Sequence, residues 1–260
     1  MNTVIMETLT SRMEELGLGY MSAGLESFLS EQVRQDKTVI EIIFDLVELE
    51  YLPRKERTAK TRLKVSGIPE KKLLDDFDLS WPKAGLTQSK FNELSSLSFI
   101  ERKENVILMG PSGLGKSHIL LGLGCKACMN GYTAYYMNCN TLIETLVKMK
   151  KLNRLNRKLS WFKKPHLMLI DEVGYENLGP EEATLFFQLV NTRYEHGSIV
   201  ITTNKPFSKW GEIMNDNAKA TATLDRLLHH SHVISLKGDS YRMKDRLKAG
   251  LTDVGFNTEV

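Results

Sequence analysis

This chain predicts an α/β fold: a five-stranded parallel sheet with helices on both faces, preceded by a small all-helical segment. Three observations carry that expectation. From residue 105 onward, short apolar runs alternate with stretches of helical period. The runs at 106–109 and 166–170 are apolar almost throughout, and 198–203 carries an unbroken Ile-Val-Ile centre. That pattern marks strands buried on both faces, as in parallel sheets, because a half-exposed strand alternates with polar residues. Before residue 65, Met13, Leu16, Leu25, Phe28, Leu29 and Val33, then Val39, Ile42, Ile43, Leu46 and Val47, recur at threes and fours, the period of amphipathic helices.

The elements follow in order. Gly17, Gly19 and Gly24 cut the first helical part into short pieces, and Asp36-Lys-Thr reads as a loop and helix start. After Pro53 comes a basic run, Arg54, Lys55, Arg57, Lys60, Arg62 and Lys64, opposed by Glu56 alone. Gly67, Pro69, Pro82 and Gly85 punctuate a connector. Its stretch from Asp75 to Trp81 sits just upstream of the α/β part, where one wall of a ligand crevice can come from, and Phe91, Leu94, Leu97, Phe99 and Ile100 suggest a helix packed on the core. Strands are expected at 106–109, 132–137, 166–170, 198–203 and 232–236. Helices are expected from the first strand through Met129, closed by Gly131, then at 141–159 and at 180–195 with Pro180 in the first turn. The expected division is a helical N-terminal domain at 1–65, a connector at 66–100, an α/β domain at 101–248 and a tail at 249–260.

Composition excludes several classes. With 42% hydrophobic and 26% charged residues, the chain is an ordinary globular one. No apolar run approaches membrane-spanning length, and the first residues lack the pattern of a signal peptide. Three cysteines fit a reducing compartment, so a cytoplasmic location is expected. Cys125 and Cys128 lie among leucines without further ligands and read as core packing; His229, His230 and His232 lack metal-ligating companions and read as packing and surface residues. The net charge is only +3, so a nucleic-acid surface requires local clustering.

The chemistry centres on Gly110-Pro111-Ser112-Gly113-Leu114-Gly115-Lys116-Ser117, followed by His118. This run fits G-x-x-x-x-G-K-S/T, the phosphate-binding loop of nucleoside triphosphatases, and it sits between a strand and a helix as the motif requires. Glycines let backbone N–H groups close around phosphate oxygens, and the helix starting near Lys116 adds its positive end. Lys116 is placed to bridge the outer phosphates of ATP, and the Ser117 hydroxyl to hold Mg²⁺. The third strand ends in Asp171 and Glu172, where acids face the ligand crevice of a parallel sheet. Asp171 suits Mg²⁺, together with Ser117, and Glu172 suits orientation of an attacking water. Asn204 ends the next strand and can hydrogen-bond the γ-phosphate or the water. Arg193, Arg226 and Arg242 are candidates to reach a neighbouring subunit's phosphate.

A second basic run, from Lys148 to Lys164, holds eight basic residues and no acid. On the expected helix, Leu152, Leu155 and Leu159 leave one apolar edge. Lys148, Lys150, Lys151, Arg154, Arg157 and Lys158 then suit the phosphate backbone of a nucleic acid, a merely solvated face being the alternative.

Together these residues resemble the IstB-like branch of the AAA+ ATPases, close to DnaC-type helicase loaders. The resemblance rests on the stretch 99–118, Leu169-Ile-Asp-Glu-Val-Gly-Tyr175, the runs at 187–197 and 203–211, Asp225-Arg-Leu-Leu-His-His-Ser-His232 and Gly238-Asp-Ser-Tyr-Arg242. It implies that Asn204 is the first sensor, Arg226 an arginine finger acting in trans, and Arg242 a second sensor acting in cis. It further implies a DNA-facing helix after the second strand, ATP-dependent homo-oligomers on duplex DNA and a transposase partner. After Leu236 too few residues remain for a full C-terminal lid, so Arg242 is expected on a short terminal helix. The first expectation is thus an ATP-dependent regulator of transposition. A helicase loader acting on single strands is the alternative, and a metabolic phosphotransferase lacks a substrate-pocket motif.

Overall fold

The computed structural model describes residues 2–32, 37–80, 84–238, 240 and 241. Val33, Asp36, Trp81, Pro82 and the 249–260 tail lie outside them. The chain divides into two compact units, Met1–Thr61 and Arg62–Val260.

The first unit is helical: α1 (Asn2–Glu15), α2 (Gly19–Gln32) and most of α3 (Val39–Val65). Its core is small, with Met13, Met21 and Leu25 packed against Met6, Leu18 and Leu46. Polar contacts set its turns. Thr38 and Glu41 cap α3 reciprocally: Thr38 N donates to the Glu41 carboxylate at 2.8 Å and Glu41 N to the Thr38 hydroxyl at 3.4 Å. Glu50 is buried and accepts from Tyr20 N at 2.9 Å and Met21 N at 3.1 Å, satisfying two of the free N–H groups that open α2. One sequence expectation is corrected here: Gly24 lies inside α2 rather than breaking it. Pro53 lies inside α3, and the basic run forms that helix's second half.

The second unit carries one parallel sheet of β1 (Asn105–Met109), β2 (Ala134–Asn138), β3 (Leu167–Val173), β4 (Ser198–Thr203) and β5 (Ser231–Ser235), in the order β2-β3-β4-β1-β5. Register pairs Ile107 with both Ile201 and Val233, and Leu169 with Val200. The three inner strands are buried on both faces, and alternation assigns each residue to a layer. Ile107, Met168, Ile170, Ile199 and Ile201 face the layer of α7 (Cys139–Lys151), α8 (Leu155–Phe162), α9 (Pro180–Arg193), α10 (Trp210–Ile213) and α11 (Asn217–Leu228). Val106, Leu108, Leu167, Leu169 and Val200 face the layer of α4 (Gln88–Ser95), α5 (Ser98–Glu101) and α6 (Lys116–Met129). Leu74, Leu86, Phe91 and Leu94 belong to that second layer, so much of the stretch between 66 and 100 packs into the core.

Two helices expected as one are each split. The left-handed backbone at Leu97 (φ 62°) separates α4 from α5. Asn153 (φ 53°) does the same in the second basic run, where the expected 141–159 helix is α7 and α8. Leu152 is consequently exposed at the break, while Leu159 stays buried. Cys125 and Cys128 are buried on α6. No helix among the described residues is long and apolar enough to cross a membrane.

Candidate active site

The carboxyl ends of β1, β3 and β4 are adjacent in the sheet, and the predicted loop, acids and amide converge there. A cavity of about 500 Å³ opens above them. Its wall includes Ser112, Gly113, Leu114, Gly115, Lys116, Ser117 and His118 from the loop, and Glu172, Thr202, Thr203 and Asn204 from the neighbouring strand ends.

The loop needs glycine on steric grounds. Gly110 has φ +147°, and a Cβ there would run into the Leu236 carbonyl oxygen. Gly115, at φ +80°, opens α6, and a Cβ would lie 2.5 Å from Phe77 Cε2. Lys116 Nζ donates to the carbonyl oxygens of Gly110 and Pro111, each at 2.7 Å, which places its ammonium over the loop.

Asp171 is buried, and its Oδ1 accepts from the Ser117 hydroxyl at 3.0 Å and from the Thr202 hydroxyl. Thr202 Oγ1 in turn accepts from Glu172 N at 2.8 Å. One buried hydroxyl therefore fixes both acids. The β3–β4 register shifts between Ile170 and Val173, and Glu172 sits at φ +62°, a conformation unusual for a residue with a Cβ. The kink leaves Asp171 buried and Glu172 exposed at the cavity wall. Asn138, the last residue of β2, donates from its side-chain amide to the Glu172 carboxylate, and its Oδ1 caps α7 through Asn140 N at 3.0 Å. Burial, and then the Asp171 and Glu172 carboxylates, push Tyr136 up to about 12, so it stays a neutral phenol.

Asn204 Oδ1 is buried and has no hydrogen-bond partner among the described residues. An unsatisfied amide oxygen in a cavity wall is costly unless a water or ligand meets it. That orphan atom, the paired Ser117 hydroxyl and Asp171 carboxylate, and the glycine cradle are donors and acceptors of the kinds that hold a metal–triphosphate. On the far wall stand Asp76, Phe77 and Asp78. Phe77 stacks on Phe91 and meets the His118 ring edge-on, with centroids at 5.9 and 5.5 Å. His118 Nε2 lies 2.9 Å from the Leu73 carbonyl. Tyr241 N donates to Gly113 O at 2.8 Å, bringing the last described residues against the loop.

The arginine candidates part company. Arg193 is fully buried; its guanidinium donates to the carbonyls of Phe162, Pro165, His166 and Ser198, and burial pulls it down to about 10. It ties α8, β3 and β4 together and cannot reach a neighbour, which removes it as a finger. Arg226 is half-buried in the last turn of α11, far from the cavity, beside a smaller hollow of about 220 Å³ lined also by Arg102, Asn105 and His230. Arg242 lies outside the described residues.

In the second basic run, Lys148, Lys150, Lys151, Arg154 and Arg157 are exposed, Lys150 pairing with Glu181 at 2.8 Å. Lys158 differs: its ammonium rests 4.2 Å from the Trp161 ring centroid and 4.5 Å from that of Phe162, and burial lowers its pKa. His229 meets the Tyr194 hydroxyl at 2.9 Å, and His232 Nε2 meets Glu104 at 2.9 Å.

Thr202 and Asn138 received no role from the sequence. Thr202 lies two residues before Asn204, inside an expected strand. Asn138 fell one residue beyond the expected strand. The available signal was the same for both: a polar residue at the carboxyl end of an apolar strand.

Residues 11–249 match the family described as IstB-like ATP binding protein. The chain belongs to that family. The IstB-like chain is 41% identical over 246 residues to the ATP-binding protein of insertion sequence IS21 from Pseudomonas aeruginosa, covering 95% of this chain and 91% of that one. It is 41% identical over 206 residues to its counterpart in IS5376 of Geobacillus stearothermophilus, covering 79% and 82%. Among solved structures, AMPPCP-bound DnaA from Aquifex aeolicus aligns with TM-score 0.55 at 17% identity, covering 73% of this chain but little more than half, 58%, of that one. The DnaI crystal structure aligns with TM-score 0.53 at 18% identity, covering 66% and 90%. At these identities the likeness shows the fold alone, a parallel sheet flanked by helices.

Proposed function

We propose that this IstB-like protein is an ATP-hydrolysing, DNA-binding regulator of transposition. It assembles on duplex target DNA as an ATP-dependent homo-oligomer and recruits or stimulates a partner transposase, with hydrolysis as the switch. The observation that carries the reading is that the glycine loop, Lys116, Ser117, Glu172 and Asn204 line one cavity, with buried Asp171 accepting a hydrogen bond from Ser117. Family membership and the insertion-sequence origin of its relatives support the transposition context.

In this reading Lys116 bridges the outer phosphates, and Ser117 and Asp171 hold Mg²⁺, which supplies charge neutralisation when bound. Glu172 orients and polarises the attacking water, Asn204 contacts the γ-phosphate, and Arg226 serves the neighbouring subunit. Arg242 is assigned to the phosphates of its own subunit by family resemblance. The exposed cations from Lys148 to Arg157 meet DNA phosphates.

Binding of labelled duplex and single-stranded DNA, each with ATP or ADP, tests this. The expected result is preferential binding to duplex with ATP. Preference for single strands supports a helicase loader instead, and no DNA binding under either nucleotide contradicts both.

A further inference from the structure

Arg226 is held in a specific pose. Its Nε donates to Asn191 Oδ1 on α9 at 2.8 Å, and its Nη1 donates to the Ala222 carbonyl one turn back at 2.9 Å. Its guanidinium carbon lies 4.9 Å from the centroid of the Phe187 ring, also on α9. Nη2 has no hydrogen-bond partner among the described residues, and no carboxylate there forms a salt bridge with Arg226. The pose fixes the plane of the guanidinium without a salt bridge to any carboxylate of the described residues, although Glu195 lines the same hollow. An arginine serving only to join two helices gains more from a carboxylate than from a neutral amide. A ring face and an amide instead lock the orientation and keep the full charge for an anion.

We infer that Asn191 and Phe187 are positioning residues, which hold Arg226 ready for an anion supplied from outside the chain. Resting on the function proposed above, that anion is the outer phosphate of ATP bound by a neighbouring copy. A donor already oriented needs no reorganisation as charge develops on the transferring group, and this is where such stabilisation has its greatest effect. Asn191 is itself exposed, so its substitution leaves the core untouched.

The test uses the full chain and four variants: Asn191→Leu, Asn191→Asp, Phe187→Leu and Arg226→Ala. ATP affinity, turnover on saturating duplex and melting temperature are measured for each. Asn191→Leu and Phe187→Leu are expected to bind ATP as wild type does and to turn over about ten- to a hundredfold more slowly, the scale of a misplaced catalytic group. Asn191→Asp discriminates best. A carboxylate strengthens the contact and maintains the melting temperature, yet compensates the guanidinium, so turnover falls at least tenfold. A purely structural contact predicts Asn191→Asp to be as active as wild type. Adding Glu172→Gln subunits, which carry an intact Arg226 and Asn191, should restore activity to Asn191→Leu. If Arg226→Ala is inactive while both Asn191 variants stay within twofold of wild type, the positioning role is overturned and the finger stands. If Arg226→Ala itself turns over normally, the finger reading fails.

Discussion

At the residue scale, the site turns on how one buried hydroxyl places two neighbouring acids. Thr202 donates to Asp171 and accepts from the N–H of Glu172, which is held at φ +62°. Thr202→Val keeps the shape and removes both bonds, leaving the buried Asp171 carboxylate and the part-buried Glu172 N–H without this partner. The expected loss is about 1–3 kcal/mol of unfolding free energy, measured by denaturant titration, together with at least tenfold slower hydrolysis. Stability and turnover equal to wild type would contradict the arrangement. Lys116→Ala removes the only loop side chain whose ammonium lies over Gly110 and Pro111. It should weaken ATP binding by at least tenfold in a fluorescent-nucleotide titration, because a charge-assisted phosphate contact is lost; unchanged affinity would remove Lys116 from the phosphate role. The glycine loop, Lys116, Ser117, Asp171, Glu172 and Asn204 were legible because strand ends and a fixed spacing announce them. Thr202 and Asn138 were not, since their roles depend on which strands lie side by side, and no spacing encodes that.

At the element scale, the second basic run shows what periodicity conceals. Leucines at 152, 155 and 159 fit one helix, yet Asn153 takes a left-handed turn and leaves Leu152 in solvent. Asparagine tolerates that conformation better than most residues, so the break has a local cause that a count of apolar spacings passes over. Lys158 turns inward onto Trp161 and Phe162, so the exposed cations are the better targets. Replacing Lys148, Lys151, Arg154 and Arg157 with alanine should weaken binding to unrelated duplexes alike. Each lost phosphate contact should flatten the slope of log affinity against log salt by about one unit. An unchanged slope would move the DNA surface elsewhere, with the Arg54–Lys64 run the next candidate. In the helical unit, Glu50 is the buried acceptor for the start of α2. Glu50→Ala should cost about 1–3 kcal/mol, and unfolding of a 1–61 fragment, or of α2 followed by hydrogen exchange in the full chain, measures it. Exchange in α2 no faster than in wild type would show the contact to be dispensable.

At the scale of the whole molecule, the parallel sheet and its strand number were legible because inner strands are apolar on both faces. The order β2-β3-β4-β1-β5 was not written in any one segment. It follows from crossovers that carry α7 to α11 over one face and α6 over the other. That order sets β1, β3 and β4 side by side and so assembles the cavity, while Arg226 lines a separate hollow. The central claim of the proposed function is assembly governed by ATP. The direct measurement is the mass of the species that Glu172→Gln forms on a random-sequence duplex, by sedimentation or mass photometry, with ATP, with ADP and without nucleotide. The account predicts a multi-subunit complex on the duplex with ATP alone, persisting because hydrolysis is blocked. The same mass in all three conditions, or a single subunit on the duplex with ATP, would contradict it.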